Sequence, residues 1–113
     1  MKTNISILAL TAVATSAVTA ARFVTHAGAQ AGAAANTLGV SRTDAAVGQA
    51  FPVDVIGTAV VEAGGAIAAG AAVETDAQGR AVTKNAGPTV ARLAPGESAV
   101  QAGDLVEVIL IAN

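Results

Sequence analysis

Cysteine, tryptophan and tyrosine are absent from this 113-residue sequence, and phenylalanine occurs only twice. Without cysteine the chain has neither disulfides nor thiolate metal ligands. Few large side chains are available to supply the roughly 1.5–3 kcal/mol that full burial of one such residue contributes, whereas ordering each residue costs about 1.5 kcal/mol. We therefore expect a thin core, and a folded state that is stabilised further by binding to a partner.

Charged residues are also few, and they are scattered. The net charge is −2, and the six basic residues stand singly along the chain. Proteins that bind a phosphate backbone need clustered lysine and arginine, and those that bind single strands also stack bases on aromatic side chains. The sequence therefore predicts no nucleic-acid partner.

Patterns that carry catalysis or metal binding are missing as well. The single histidine, His26, has no cysteine and no carboxylate close to it in sequence, which favours a structural role. The eight acidic residues are spread singly, no serine stands in a Gly-x-Ser-x-Gly frame, and no phosphate-binding loop occurs. We predict a protein that is not an enzyme and has no catalytic residues, cofactor-binding residues, metal ligands or cofactors.

One stretch carries a strong hairpin signal. Val73 and Thr75 precede the four residues Asp76-Ala77-Gln78-Gly79, and Ala81 and Thr83 follow them. Aspartate first and glycine fourth are typical of a type I turn. A glycine in the left-handed conformation after such a turn commonly closes a short hairpin loop. The sequence therefore predicts two antiparallel strands joined at residues 76–79.

A short pattern recurs three times, beginning at Ala17, Ala66 and Ala99. Each copy consists of alanine, valine or isoleucine, a variable residue, alanine, a small residue, two variable residues and valine. The small fifth residue is Ala21, Gly70 or Gly103. We interpret each copy as the end of one strand, a tight bend at the small residue, and the start of the next strand.

The rest of the chain also favours strands. The longest β-prone stretch is Phe51–Glu62, and Gly57 is expected to mark a bulge or bend that splits it. The apolar run Leu105–Ile111 is expected to be a strand buried on both faces. Turn signals recur at short intervals, and no helical period follows Ala35. The sequence predicts an all-β fold, a small β-barrel or sandwich of short strands and hairpins with an extended N-terminal arm.

The N-terminal segment is open to more than one interpretation. Residues 1–21 combine an early lysine, apolar residues and small residues, which suits a secretory signal cleaved near Ala20, a strand or extended arm, or a short apolar helix. Cleavage near Ala20 would cut through the first copy of the repeated pattern. Threonine and serine interrupt the segment too often for a membrane span, and we predict no membrane partner. We expect residues 1–16 to be an arm or first strand, followed by a single β-domain over residues 17–113.

These motifs, in this order and spacing, resemble a small family of alanine-, glycine- and valine-rich decoration (cement) proteins of tailed-bacteriophage capsids. The resemblance runs from about Ala17 to Ile111, and its motifs are Ala20–Val24, Thr37–Ser41 with Asp44–Gly48, Gly57–Val61, Gly64–Val73 with Asp76–Val82, and Gly103–Val108. It implies a β-rich structural protein without catalysis. Such a protein binds the outer surface of the mature head and stabilises contacts between major-capsid subunits. The implied partners are the major capsid protein and further copies of the chain, as a homodimer or homotrimer, and the implied location is the outer surface of the virion capsid.

The N-terminal segment is the part that we expect to make the contact. An extended segment rich in isoleucine, valine and threonine can add a strand to a neighbouring sheet edge, with Ile5, Ile7 and Leu8 as anchors. Deleting residues 2–15 should then abolish capsid binding and leave the β-domain folded. The alternatives are a secreted structural or adhesive β-domain with a cleaved signal peptide, and a small-ligand-binding barrel with a pocket of converging polar groups.

Overall fold

The computed structural model describes residues 4–113, and within them it contains strands but no helix. The strands are β1 (Ser6–Val13), β2 (Phe23–Val24), β3 (Gly39–Ser41), β4 (Ala50–Glu62), β5 (Ala72–Thr75), β6 (Ala81–Thr83), β7 (Ala91–Leu93) and β8 (Leu105–Leu110). The predicted all-β class is confirmed. The alanine-rich segment between β2 and β3 is a loop, as its glycines at positions 28 and 32 indicate.

The strands form one antiparallel sheet that curls into a nearly closed barrel. Its order is β2-β3-β4-β8-β7-β5-β6, and β1 pairs with β4 beside this path. The two ends of the path approach each other, because the Phe23 N–H donates to the Gly79 carbonyl at 2.8 Å. Ala63, directly after β4, also forms a parallel bridge to Ala81 in β6. These contacts bring the two outer strands of the sheet, β2 and β6, towards each other.

The long strand β4 organises this arrangement. Its N-terminal half pairs with β1 and β3, and its C-terminal half pairs with β8. Gly57 lies at the change-over with φ of 110°, and a Cβ placed there would come within 2.1 Å of the Ile5 carbonyl oxygen. The register between β1 and β4 is irregular at Gly57, as predicted, but the prediction that Gly57 splits the stretch was wrong, because β4 continues through it from Ala50 to Glu62.

The local turn predictions are also confirmed. In the hairpin, Thr75 pairs with Ala81, and Gly79 has φ of 74°. The Asp76 carboxylate accepts hydrogen bonds from the N–H groups of Gln78 at 2.9 Å and Arg80 at 2.8 Å.

The bend of each repeated copy lies where the pattern places it. The small residues have φ values of 61° at Ala21, 73° at Gly70 and 96° at Gly103. The second and third copies also meet, since Ile67 forms a bridge with Ala99. The shared pattern therefore encodes a shared backbone geometry.

Two hydrophobic clusters fill the barrel. The larger one includes Phe23, Ile67, Leu93 and the inward valines of β4, β5 and β8. The smaller one lies under β1 and consists of the buried residues Ala14, Val18, Val24, Ala45, Phe51 and Val53. Small side chains dominate both clusters, as the composition predicts.

Burial of β8 on both faces is confirmed only in the middle of the strand, where Val106, Glu107 and Val108 are all buried. Val106 and Val108 point into the core and are buried, but Leu105 and Ile109 lie on the outward face and are substantially exposed. Glu107, between them on the same face, is buried and its backbone is bonded to Ala94 and Glu97, whereas the two ends of this face are open to solvent, as an antiparallel sheet allows. The strand therefore has one fully buried face and a second face on which Leu105 and Ile109 are exposed.

Candidate interaction surface

The three predicted contact residues lie together on the outside of the molecule. Ile5 precedes β1, and Ile7 and Leu8 belong to it; their side chains are 60%, 75% and 39% exposed. The Ile5 carbonyl accepts a hydrogen bond from the Thr58 N–H at 2.8 Å, and its N–H donates to the Thr58 hydroxyl at 3.0 Å. These bonds fix the start of β1 on β4, so the exposed side chains are held at defined positions.

Further apolar side chains continue this exposed region. We call it the β1 surface, and it comprises Ile5, Ile7, Leu8, Leu10, Val13 and Ile56. Ile56 belongs to it because it lies opposite Leu8, where an irregularity shifts the register between β1 and β4. The sequence of β1 contains no charged residue. Leu10 lies opposite the buried Val53 and Val13 lies on the other face of β1, so these exposed side chains flank the strand on both faces. Exposed apolar side chains concentrated in this way can mark an interaction site.

A pair of opposite charges, Arg42 and Asp54, lies beside the β1 surface, and the two side chains bind each other. Asp54, opposite Ala9 of β1, is buried, and its carboxylate accepts hydrogen bonds from Arg42 Nε at 2.8 Å and 3.0 Å. This hydrogen bond and the negative charge of Asp54 raise the pKa of Arg42 above its ordinary value. The pair therefore adds no net charge to the region.

The same pair lies at the edge of a surface depression of about 310 Å³, lined also by Asn4, Ser41 and small apolar residues. The Ser41 hydroxyl donates to the Thr43 carbonyl, and Asp54 and Arg42 are occupied by each other. The Ser41, Arg42 and Asp54 side chains there already have protein partners. This arrangement does not favour the small-ligand alternative, which needs polar groups free to converge on a ligand.

His26 lies at a second depression of about 380 Å³ with a mainly apolar lining that includes Leu38, Val55 and Leu110. The Asn113 side chain at its rim is engaged, since its oxygen accepts a hydrogen bond from the Thr37 N–H at 2.7 Å. No acidic side chain is among the residues that line this depression. In the part of the chain that the structure describes, no group of three or more histidine, cysteine or acidic residues could hold a metal ion. Among those same residues, no helix is long and apolar enough to cross a membrane.

One exposed valine on a loop offers a contrast to the β1 surface. Val100, in the third copy of the repeated pattern, is 81% exposed. Its N–H donates to the Asp104 carboxylate at 2.9 Å, which fixes the loop just before β8. The exposure of Val100 and Ile56 could not be predicted from the sequence, because it depends on the three-dimensional packing.

Comparison with known proteins gives matches of two kinds. The sequence model of one family, described as phage cement protein, matches residues 1–110. Among curated proteins, none matches the chain. Among solved structures, the chain is similar to the head fiber gp8.5 N base of bacteriophage phi29, with a TM-score of 0.76 and 24% sequence identity over 92% of this chain and 93% of that one. This second likeness shows a shared fold.

Proposed function

The chain belongs to the phage cement protein family, and from this premise we propose that it binds the outer surface of the mature phage head and stabilises contacts between major-capsid subunits. Membership of the family makes it a structural, capsid-associated protein of the virion. The finer role, a brace between neighbouring shell subunits, is the proposal. The partners proposed are the major capsid protein and further copies of this chain.

The observation that carries the proposal is the β1 surface. Ile5, Ile7 and Leu8 are exposed on a strand without charged residues, and burying such side chains against a partner would remove apolar area from water. Arg42 and Asp54 beside this strand form an ion pair with each other. Docking at β1 would therefore bury no unpaired charge from this pair. We propose that Ile5, Ile7 and Leu8 anchor the protein on the shell.

A protein that braces a shell has to hold at least two subunits at once. Association of several copies, as a homodimer or homotrimer, would provide several β1 surfaces on one rigid body. Linking binding sites in this way raises the overall affinity well above that of a single site. The small-residue core supports the same idea, because association stabilises the folded state by mass action.

The secreted alternative is disfavoured by packing. Cleavage near Ala20 would remove β1 together with Ala14 and Val18, which are buried in the smaller hydrophobic cluster. Phe51 and Val53 on β4 would then lose the strand that pairs with them. For the same reason, deleting residues 2–15 is a poor test of binding, because it would damage the fold. Point substitutions on the exposed face are the better test.

The direct test is saturation binding to mature, expanded heads that lack the protein. Purified protein is added in increasing amounts, the heads are sedimented, and the bound copies are counted against the major capsid protein. The proposal predicts saturation at a fixed ratio, and the ratio gives the number of copies at each site. Heads that have not expanded serve as the control. Binding without saturation, or none by a folded protein, would contradict the proposal.

A further inference from the structure

Strand β1 has one paired edge and one open edge. The Ala14 N–H donates to the Gln49 carbonyl at 2.9 Å, which sets the alternation along the strand. In an antiparallel pair the backbone groups of successive residues point to opposite sides. The N–H and C=O groups of Ala9 and Thr11 therefore point away from β4. Pro52 lies opposite Thr11, which agrees with this assignment because proline has no N–H to donate.

The open edge is limited at one end. The Thr15 N–H donates to the Gly28 carbonyl at 3.1 Å, and the Thr15 hydroxyl donates to the Ala27 carbonyl at 3.1 Å. The loop at residues 27–28 thus closes the edge beyond Val13. Before that point β1 pairs with no strand other than β4 among residues 4–113. The open stretch therefore includes the outward groups of Ala9 and Thr11.

The outer strands of the main path are not open in the same way. The Gly64 N–H donates to the Ala81 carbonyl on β6 at 2.7 Å. On β2, the Phe23 N–H donates to the Gly79 carbonyl at 2.8 Å, and its carbonyl accepts from the Ala31 N–H at 2.9 Å. Exposed edge strands of monomeric proteins usually carry a charged residue, a proline or a bulge that discourages pairing. β1 has a register irregularity near Leu8, but no charge or proline from Ser6 to Val13.

From this arrangement we infer that the outer edge of β1 binds an extended segment of the major capsid protein as an added strand. The inference rests on the proposed function, and it specifies how that function is carried out. The backbone groups of Ala9 and Thr11 supply the hydrogen bonds, and an extended peptide is the partner whose groups match their spacing. The side chains of Ile7 and Leu8, next to this edge, cover the added strand. The contact thereby continues the proposed β1 surface through the backbone.

The test compares Thr11→Pro with Thr11→Ala. Proline removes the outward N–H and blocks an added strand, while the bonds to β4 are kept because the Thr11 N–H points away from them; proline is tolerated on an edge strand of this kind. Alanine changes the same side chain but keeps the N–H. We expect Thr11→Pro to weaken head binding by about tenfold or more. Thr11→Ala should bind within about twofold of the unchanged protein, and thermal melting should show both variants folded.

Hydrogen exchange on the unchanged protein gives a second measurement, which holds even if Thr11→Pro does not fold. The amides of Ala9 and Thr11 should exchange rapidly in the free protein and become protected on heads. Equal binding by folded Thr11→Pro and Thr11→Ala, or unprotected amides on heads, would overturn the inference and leave the proposed function in place. Protection of these amides in the free oligomer would identify a second copy as the occupant and would also overturn it. Failure of the unchanged protein to bind heads would remove the proposed function and this inference together.

Discussion

Replacing Ile7 by serine separates folding from binding. Ile7 is 75% exposed on β1, so about one quarter of its side chain is buried in the free protein. Full burial of such a side chain contributes roughly 1.5–3 kcal/mol. With the lower strand preference of serine, the substitution should reduce the free energy of unfolding by less than about 1 kcal/mol. Urea denaturation measures this change.

The effect on capsid binding should be larger. If the exposed three quarters of Ile7 become buried on the shell, the lost contact is worth about 1–2 kcal/mol, or a dissociation constant about 5- to 30-fold higher. The matched control is Val100→Ser, because Val100 is 81% exposed but lies on a loop outside the β1 surface. It should fold normally and bind heads with unchanged affinity. Sedimentation of heads with increasing protein measures both constants.

Two results would refute this reasoning. Unchanged binding by a folded Ile7→Ser variant would show that the Ile7 side chain is not buried on the shell. An equal loss of affinity in Val100→Ser would show that the effect belongs to exposed aliphatic residues in general. Either outcome would move the proposed contact away from β1.

Three further substitutions test the structural account through urea denaturation. Gly57→Ala should destabilise clearly more than Gly96→Ala, since both have positive φ but only at Gly57 would a Cβ clash, at 2.1 Å from the Ile5 oxygen; equal losses would argue against the described attachment of β1. Ala21→Gly should stabilise by about 0.5–1 kcal/mol, because alanine at φ of 61° is strained where glycine is not, and a loss of stability would contradict this. Phe51→Ala should cost about 3–5 kcal/mol, because Phe51 is buried in the smaller cluster beneath β1; a loss below about 1 kcal/mol would mean that this cluster contributes little.

Features encoded by neighbouring residues could be predicted from the sequence. The hairpin at residues 76–79 follows from an aspartate that accepts backbone hydrogen bonds and from Gly79 at positive φ. The bends at Gly70 and Gly103 follow from the same preference of glycine. The bend at Ala21 could also be predicted, although it has no glycine, because Ala21 occupies the same position in the repeated pattern.

Features that depend on register or on layers could not be predicted. The pairing of Leu8 with Ile56 depends on an irregularity between β1 and β4, and no short sequence pattern predicts that irregularity. The ion pair of Arg42 and Asp54 depends on the pairing of β3 with β4. Exposure of Ile109 depends on whether a second layer covers β8, and the apolar sequence of the strand is compatible with either case. The surroundings of Ile5, Ile7 and Leu8 could therefore be described only from the three-dimensional structure.

The central claim is that this protein strengthens the phage head. Mature heads lacking the protein are heated with and without saturating protein, and DNA release is followed with a fluorescent dye. The account predicts release at a higher temperature from the saturated heads, and a smaller increase with Ile7→Ser at the same total concentration. Release at the same temperature from bare and fully saturated heads would contradict it, because the protein would then occupy the shell without bracing its subunits.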